Sequence, residues 1–278
     1  MTHPYRMLLL DLDGTTLHGH GQLDERNIAA ALALKELGVA VTICTGRLFT
    51  GTQWVAKKLG VEGCVGVVNG RERIDANTGV VAHGSYIDRE SRMQAREMLL
   101  ESGLTAFLFG SRTIHYGRDA ERHTNYLGIW TTDLQPHDDI MKAPAWERDD
   151  IVSLCAVGPH AKINDLRDRF ERDLPKGLGT FRFNTFEEEG FVELGDHRDN
   201  KGTALEGLAA ERGFTAAQTV AVGDWLNDLP MFDKAGLSFC MGHALDHVKA
   251  AADEVLSSDR HTGGGVAEVA KRVWGVDV

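Results

Sequence analysis

The chain opens on an unbroken apolar run, residues 7–10, that halts at two carboxylates one residue apart, Asp11 and Asp13, followed by Gly14. A short continuous apolar run fits a strand covered on both faces. The pattern returns at residues 39–44, ending at Thr45-Gly46-Arg47, and at 65–68, ending at Asn69-Gly70. It returns again at 219–222, ending at Gly223-Asp224. Between the first two runs the pattern changes to that of a helix carrying Ile28, Ala31, Leu32 and Leu37. Asp24 is its N-cap and Gly38 its C-terminal stop. A second helix runs to about Leu59. Strand and helix in alternation predict a parallel sheet. Residues 73–75 and 80–83, joined around Asn77-Thr78-Gly79, read as a hairpin at its edge.

The rhythm then changes. Residues 88–102 form a charged helical pattern, followed by strands at 105–109 and 113–116 and a helical stretch at 121–130. Residues 131–150 are polar and carry Pro136 and Pro144, which predicts a long loop. A strand at 151–157, a helix at 163–172 and a strand pair at 180–184 and 191–194 complete this part. Strands adjacent in sequence predict a separate α+β domain with an antiparallel sheet, residues 84–194. From Lys201 the first rhythm resumes: a helix to Gly213, the strand at 219–222, and a helix with Pro230 in its first turn, where proline is tolerated. A strand at 236–241, a helical piece at 248–253, a short strand at Val255 and Leu256 and a helix at 266–274 follow. Gly263-Gly264-Gly265 lacks the preceding strand and spacing of a dinucleotide fingerprint and reads as loop. The first domain is therefore discontinuous, residues 1–83 and 195–278.

Composition narrows the picture. The 278 residues are 42% hydrophobic and 26% charged, ordinary values for a globular chain, and the net charge is −11. That balance argues against a nucleic-acid or anionic membrane partner, although a local field can still favour an anionic substrate. Cys44, Cys64, Cys155 and Cys240 are scattered without metal-type spacing, as expected of reduced thiols. No apolar segment reaches transmembrane length, and the run before Asp11 is too short for a signal peptide. The expected location is the cytoplasm.

The polar groups at the strand ends carry the chemistry. Taken singly, each has an ordinary reading: Asp11 and Asp13 as turn residues, Thr45 as a cap, Lys201 as a solvated lysine, Asp224 and Asp228 as helix-start acids. Taken together they belong at one place, because ligands of open α/β sheets bind beyond the carboxyl ends of the strands. Four carboxylates there cannot all stay ionised without compensation. Mg²⁺ is the natural partner, a hard cation held by carboxylates plus substrate phosphate. Lys201, the Thr45 hydroxyl and backbone N–H groups at helix starts suit the remaining phosphate oxygens. The inventory is that of phosphoryl transfer.

With these motifs in hand, the chain resembles a haloacid dehalogenase superfamily phosphatase, of the Cof-like group with a large α/β cap. The resemblance runs through Asp11-Leu12-Asp13-Gly14-Thr15, Thr45-Gly46-Arg47, Asn69-Gly70, Lys201-Gly202 and Gly223-Asp224-Trp225-Leu226-Asn227-Asp228. It continues through Met241-Gly242-His243-Ala244, Ala252-Asp253 and Gly265-Val266-Ala267. It implies a Rossmann-like parallel-sheet core with an inserted α+β cap domain. Spacing agrees: Lys201 follows Thr45 by 156 residues, far more than a sheet crossover requires. The resemblance further implies that Asp11 is the nucleophile of an aspartyl-phosphate and that Asp13 is the acid and base. It gives Mg²⁺ to Asp11, the Asp13 carbonyl and Asp224, with Asp228 orienting the metal's waters or Lys201. Thr45, Gly46 and Lys201 would bind the phosphoryl group, and Arg47 and Asn227 would add phosphate or substrate contacts.

The implied substrate is a small phosphorylated metabolite, especially a sugar phosphate, with no nucleic-acid or membrane partner. Candidates for substrate contacts in the insertion are Arg182, Asn184, Glu187, Glu188, His115, His123 and Asn125, for which solvated turn or surface positions are the plainer reading. His18-Gly19-His20 is too sparse for a metal site. Trp225 stands where the motif usually carries a small or polar residue, and Cys44 reads as a buried small hydrophobe. A phosphomutase of the same fold and a catalytically silent regulator are the competing readings.

Overall fold

The computed structural model describes residues 3–19, 21–184 and 189–278. By internal contacts the chain divides into two compact units. The first comprises Met1–Arg47, Thr52–His83 and Asp199–Val278, the second Leu48–Gly51 and Gly84–Arg198. The sequence-based boundary at residue 195 falls inside a strand that continues to Asp196.

In the first unit, β1 (Met7–Leu10) is wholly buried, as its four apolar residues require. The ribbon β2 (Leu17–His18) and β3 (Gln22–Leu23) leads into α1 (Glu25–Glu36), whose N-cap Asp24 accepts from the Arg26 N–H. Then come β4 (Ala40–Ile43), α2 (Phe49–Lys58), β5 (Cys64–Val67), β6 (Glu72–Asp75) and β7 (Val81–Gly84). Within the second unit lie α3 (Arg89–Ser102), β8 (Thr105–Gly110), β9 (Ile114–Gly117), α4 (Thr124–Trp130) and β10 (Leu134–His137). They are followed by β11 (Ile151–Pro159), α5 (His160–Asp173), β12 (Leu178–Asn184) and β13 (Glu189–Asp196). The chain returns to the first unit with α6 (Lys201–Ala210), β14 (Thr219–Gly223), α7 (Leu229–Lys234) and β15 (Leu237–Cys240). It ends with α8 (Asp246–Lys249), β16 (Glu254–Val255) and α9 (Gly265–Trp274).

The five-stranded sheet of the first unit has the order β16-β15-β14-β1-β4, with every pairing parallel. Leu10 is in register with Ile43 on one side and Val222 on the other, so Asp11, Cys44 and Gly223 stand side by side at the carboxyl ends of the strands. One face packs on α6 and α7 through Leu9, Leu205, Leu208, Ala221 and Met231. On the other face α1 meets α9, and buried Asn27 of α1 accepts from the Val266 and Ala267 N–H groups at the start of α9.

Sequence periodicity assigned residues 65–68 to the parallel sheet, and here the structure corrects it. β5 meets β4 in the parallel sense, through the bridge Cys44–Gly66 and the Thr42 hydroxyl on the Cys64 carbonyl at 2.8 Å, but builds its ladder antiparallel to β6 in a separate sheet. The chain then turns at once, with positive φ at Val68 (47°), Asn69 (58°) and Gly70 (90°). A β-branched residue in that region is strained.

The second unit is a six-stranded sheet of order β10-β9-β8-β11-β13-β12. It is antiparallel except at its edge, where β10 runs parallel to β9. α3 and α5 cover one face around Leu108, Leu154, Ile163, Leu166 and Val192. The other face carries Phe109 and Phe191, against which Trp130 of α4 packs at 5.3 and 5.5 Å. The expected long loop at 131–150 is instead ordered. It contains β10, and Ile140, Ala143, Ala145 and Trp146 bury their side chains in the core of this unit. The indole Nε1 of Trp146 donates to the Ile140 carbonyl at 2.7 Å.

Candidate active site

The site lies in the first unit, and local geometry explains each of its parts. Asp11 is the first residue past β1, where its neighbours in the sheet leave it buried at 5% exposure. The Thr16 hydroxyl donates to its carbonyl at 2.6 Å, folding residues 12–16 back under the strand end. Lys201, the first residue of α6, is fully buried, and its Nζ donates to Asp11 Oδ1 at 2.5 Å and to Asp228 Oδ1 at 2.6 Å. Asp228 uses its other oxygen, Oδ2, to accept the backbone N–H groups of Asp224 (2.8 Å) and Trp225 (2.9 Å). One carboxylate thus holds both the lysine and the loop that presents Asp224. Asp224 Oδ1 accepts from the Thr15 hydroxyl at 3.3 Å, and His243 Nε2 lies 2.9 Å from Asp224 Oδ2.

Oxygens of Asp11, Asp224 and Asp228 lie within 4.8 Å of one another. Burial, with the charges of Asp228 and Asp224 added, outweighs Lys201 and lifts the Asp11 carboxyl well above its ordinary range. Burial and the charge of Asp228 lift Asp224 too, against the hydrogen bond from His243. Burial pulls Lys201 down, but Asp11 and Asp228 more than reverse this and hold its ammonium protonated. Three carboxyls stand against one ammonium, so ionising all three would leave a surplus of two negative charges. Such a surplus in a dry site fits a divalent cation with a preference for oxygen. Asp11 and Asp224 are the residues that could hold it, each with an oxygen not engaged by an N–H donor of the protein's backbone or by Lys201, whereas both oxygens of Asp228 are taken by Lys201 and the loop N–H groups.

Asp13 lies apart from this cluster. Its side chain is 46% exposed, and the Arg47 guanidinium grips both its oxygens, Nε to Oδ2 at 2.8 Å and Nη2 to Oδ1 at 2.5 Å. Thr45, 1% exposed, accepts the Arg47 N–H on its hydroxyl at 3.2 Å. The strained turn after β5 braces this loop: Val68 N–H donates to the Arg47 carbonyl and Asn69 N–H to the Thr45 carbonyl, both at 2.9 Å. The Asn69 side-chain oxygen accepts from Asn227 at 2.8 Å and would lie 3.2 Å from any Cβ at Gly46. The structure therefore places Asp11, Asp224, Asp228 and Lys201 together, pairs Asp13 with Arg47, and sets Thr45, Gly46 and Asn227 around Asn69.

Sequence reasoning gave no role to His243, Asn69, Thr15 or Thr16. The signal for His243 was available: it follows the end of β15, which neighbours β14 in the sheet. Other candidates find local partners. His115 and His137 sit with Nδ1 and Nε2 3.1 Å apart, and His123 stands edge-on to Phe107. Asn125 is exposed. Arg182 and Asn184 belong to β12, while Glu187, Glu188 and His20 lie outside the described residues. Trp225 is 36% exposed. Burial pushes the Cys44 thiol up to about 12, so it stays protonated, a small hydrophobe beside Lys201.

A parallel sheet that gathers carboxylates and a buried lysine at its carboxyl ends, interrupted by an α+β insertion, defines an α/β enzyme with a second, inserted unit. A profile of the haloacid dehalogenase-like hydrolases matches residues 8–269. The chain is 25% identical to an HMP-PP phosphatase of Serratia proteamaculans, covering 88% of this chain and 87% of that one. It is 26% identical to the 5-amino-6-(5-phospho-D-ribitylamino)uracil phosphatase YcsE of Bacillus subtilis, covering 97% and 95%. Its fold matches a solved haloacid dehalogenase-like hydrolase from Bacteroides thetaiotaomicron with a TM-score of 0.84, at 22% identity over 97% of this chain and 99% of that one. The chain belongs to the haloacid dehalogenase-like hydrolases, in their Cof-like group, and is a phosphoric monoester hydrolase.

Proposed function

We propose that the chain is a Mg²⁺-dependent phosphatase that hydrolyses a small phosphorylated metabolite through an aspartyl-phosphate on Asp11. The observation that carries this reading is the buried group Asp11, Asp224 and Asp228 around the Lys201 ammonium at the sheet's carboxyl ends. When bound, Mg²⁺ supplies neutralisation of charge at Asp11 and Asp224 and on the phosphoryl oxygens. Lys201 holds Asp11 Oδ1, which leaves Oδ2 to attack phosphorus. In the first step the Oδ2–P bond forms, the bond from phosphorus to the leaving oxygen breaks, and Asp13 gives that oxygen its proton. In the second, Asp13 takes a proton from water as the water attacks phosphorus, and the Oδ2–P bond breaks to free phosphate and Asp11. Both oxygens of Asp13 are held by Arg47, so proton delivery requires that pair to part. Thr45 and the Gly46 backbone flank the site as partners for the remaining phosphoryl oxygens.

Two of the relatives are named as phosphatases of different phosphorylated metabolites, which supports the substrate class but not one compound. Sugar phosphates are the proposed members of that class. The four free cysteines support a reducing, cytoplasmic setting.

Release of inorganic phosphate from a panel of phosphorylated metabolites, with Mg²⁺ and with chelator, tests the proposal. Turnover should require Mg²⁺, and Asp11→Asn should lower it by roughly a thousandfold or more with the melting temperature retained. An Asp11→Asn variant that keeps most of its activity contradicts the nucleophile. Isomerised sugar phosphate in place of free phosphate would identify a mutase, and wild-type chain inert on the whole panel would identify a silent binder.

A further inference from the structure

His243 is joined to the site by two contacts whose donors and acceptors are fixed by chemistry. The backbone N–H of Arg260 donates to His243 Nδ1 at 3.0 Å. An amide N–H only donates, so Nδ1 accepts and the ring's N–H is at Nε2. Nε2 then donates to Asp224 Oδ2 at 2.9 Å. The ring is 10% exposed and Asp224 7%, so water competes little for either bond.

The ring is also held from behind. Gly242 N–H donates to the Ser258 carbonyl at 2.9 Å, in a loop too tight for a Cβ at Gly242, which would stand 2.8 Å from the Leu256 carbonyl oxygen. Ser257 and Ser258 in turn give their backbone N–H and hydroxyl groups to the Glu268 carboxylate of α9, at 2.6–2.9 Å. An unbroken set of contacts therefore runs from α9 through residues 257–260 and His243 to Asp224.

We propose that His243 is a positioning residue for the cation: as an Nε2–H donor it holds Asp224 by Oδ2 and turns Oδ1, which otherwise takes the Thr15 hydroxyl at 3.3 Å, toward the metal. Carboxylates and imidazoles that support metal ligands in this way fix the ligand's orientation, and their loss weakens metal binding. The geometry does not require His243 to carry charge or to touch substrate. The inference rests on the cation reading of the Asp11, Asp224 and Asp228 group.

Two measurements on the whole chain test it. The first is ¹⁵N NMR of histidine-labelled, metal-free protein, with His243 assigned by comparison with His243→Gln. One bare nitrogen, Nδ1, and one protonated, Nε2, is the expected signature; an Nδ1–H, Nε2-bare tautomer overturns the proposal. The second is Mg²⁺ affinity by calorimetry for the wild type, His243→Ala and His243→Gln. Alanine should weaken Mg²⁺ by about tenfold or more. Glutamine, whose amide supplies an N–H in place of Nε2, should return affinity to within a few-fold of wild type, and neither variant should move the melting temperature by an amount that explains the loss. Unchanged affinity in His243→Ala, or a glutamine variant no better than alanine, overturns the role of His243 while the cation reading stands. A wild-type chain that takes up no Mg²⁺ overturns that reading and this inference with it, whatever tautomer the ring adopts.

Discussion

At the residue scale, two glycines are demanded by carboxylates. Gly14 sits at φ 86°, and a Cβ there would stand 2.4 Å from Asp224 Oδ2. A Cβ on Gly223 would fall 2.4 Å from the Asp228 carboxyl carbon. Gly14→Ala should therefore displace Asp224, weakening Mg²⁺ binding by calorimetry, and should cost roughly 1–3 kcal/mol in denaturant melts from backbone strain. Wild-type Mg²⁺ affinity in that variant would show that Asp224 is not where the cation binds. That Asp11, Lys201, Asp224 and Asp228 would meet at one place could be read from the sequence, because each follows an apolar run or opens a helix beside one. His243 and Asn69 were not given roles, because their work is done through contacts with Asp224 and Asn227, 19 and 158 residues away, which no local pattern encodes. The pairing of Asp13 with Arg47 was likewise invisible, since it depends on how two loops 34 residues apart meet.

At the scale of elements, periodicity located nearly every strand and helix to within a few residues, because most have one buried face. It failed at residues 131–150, where β10 is a four-residue edge strand containing Pro136 and the core anchors Ile140, Ala143, Ala145 and Trp146 follow neither a helical nor a strand period. Proline is admissible at such an edge, where its missing N–H is not needed by a second neighbour. Trp146→Ala should destabilise the second unit by about 3–5 kcal/mol in denaturant unfolding, whereas a true surface loop would tolerate the change. The same edge carries an acid-sensitive group. Burial, then the charges of His137 and Arg148, pulls His115 down to about 4. The unfolded chain, with an ordinary histidine, binds the proton first, so this contribution is full above pH ~6.5 and is lost as pH falls toward 4. His115→Gln should flatten the pH dependence of stability in that window; an unchanged slope would mean that the histidine is not held neutral.

At the scale of the molecule, a chain of net charge −11 gathers three of its acids in one dry cluster and balances only one of them internally. The fold makes this possible because β1 lies between β4 and β14, so that three strand ends and the start of α6 converge. That convergence could be anticipated from the alternation of strand and helix; the antiparallel ladder of β5 with β6 could not, since the sequence of a buried strand does not say which neighbour it pairs with. Uncompensated charge should make the cation a stabilising ligand: Mg²⁺ at a hundred times its dissociation constant should raise stability by about 2.7 kcal/mol. Because burial raises the Asp11 and Asp224 carboxyls, protons compete for the same oxygens, and Mg²⁺ affinity should fall as the pH is lowered. The no-shift outcome, in which chelator leaves the melting temperature unchanged at every pH, would contradict a cation at this cluster.

The central claim is that Asp11 is phosphorylated, and the most direct measurement is peptide mass mapping of Asp13→Ala quenched during reaction with an aryl phosphate and Mg²⁺. Without the base to activate water, one phosphoryl group should be found on the peptide that contains Asp11, and it should vanish in the Asp11→Asn, Asp13→Ala double variant. Turnover in the wild type with no phosphoryl mass on that peptide, or with the label on another residue, would contradict the account.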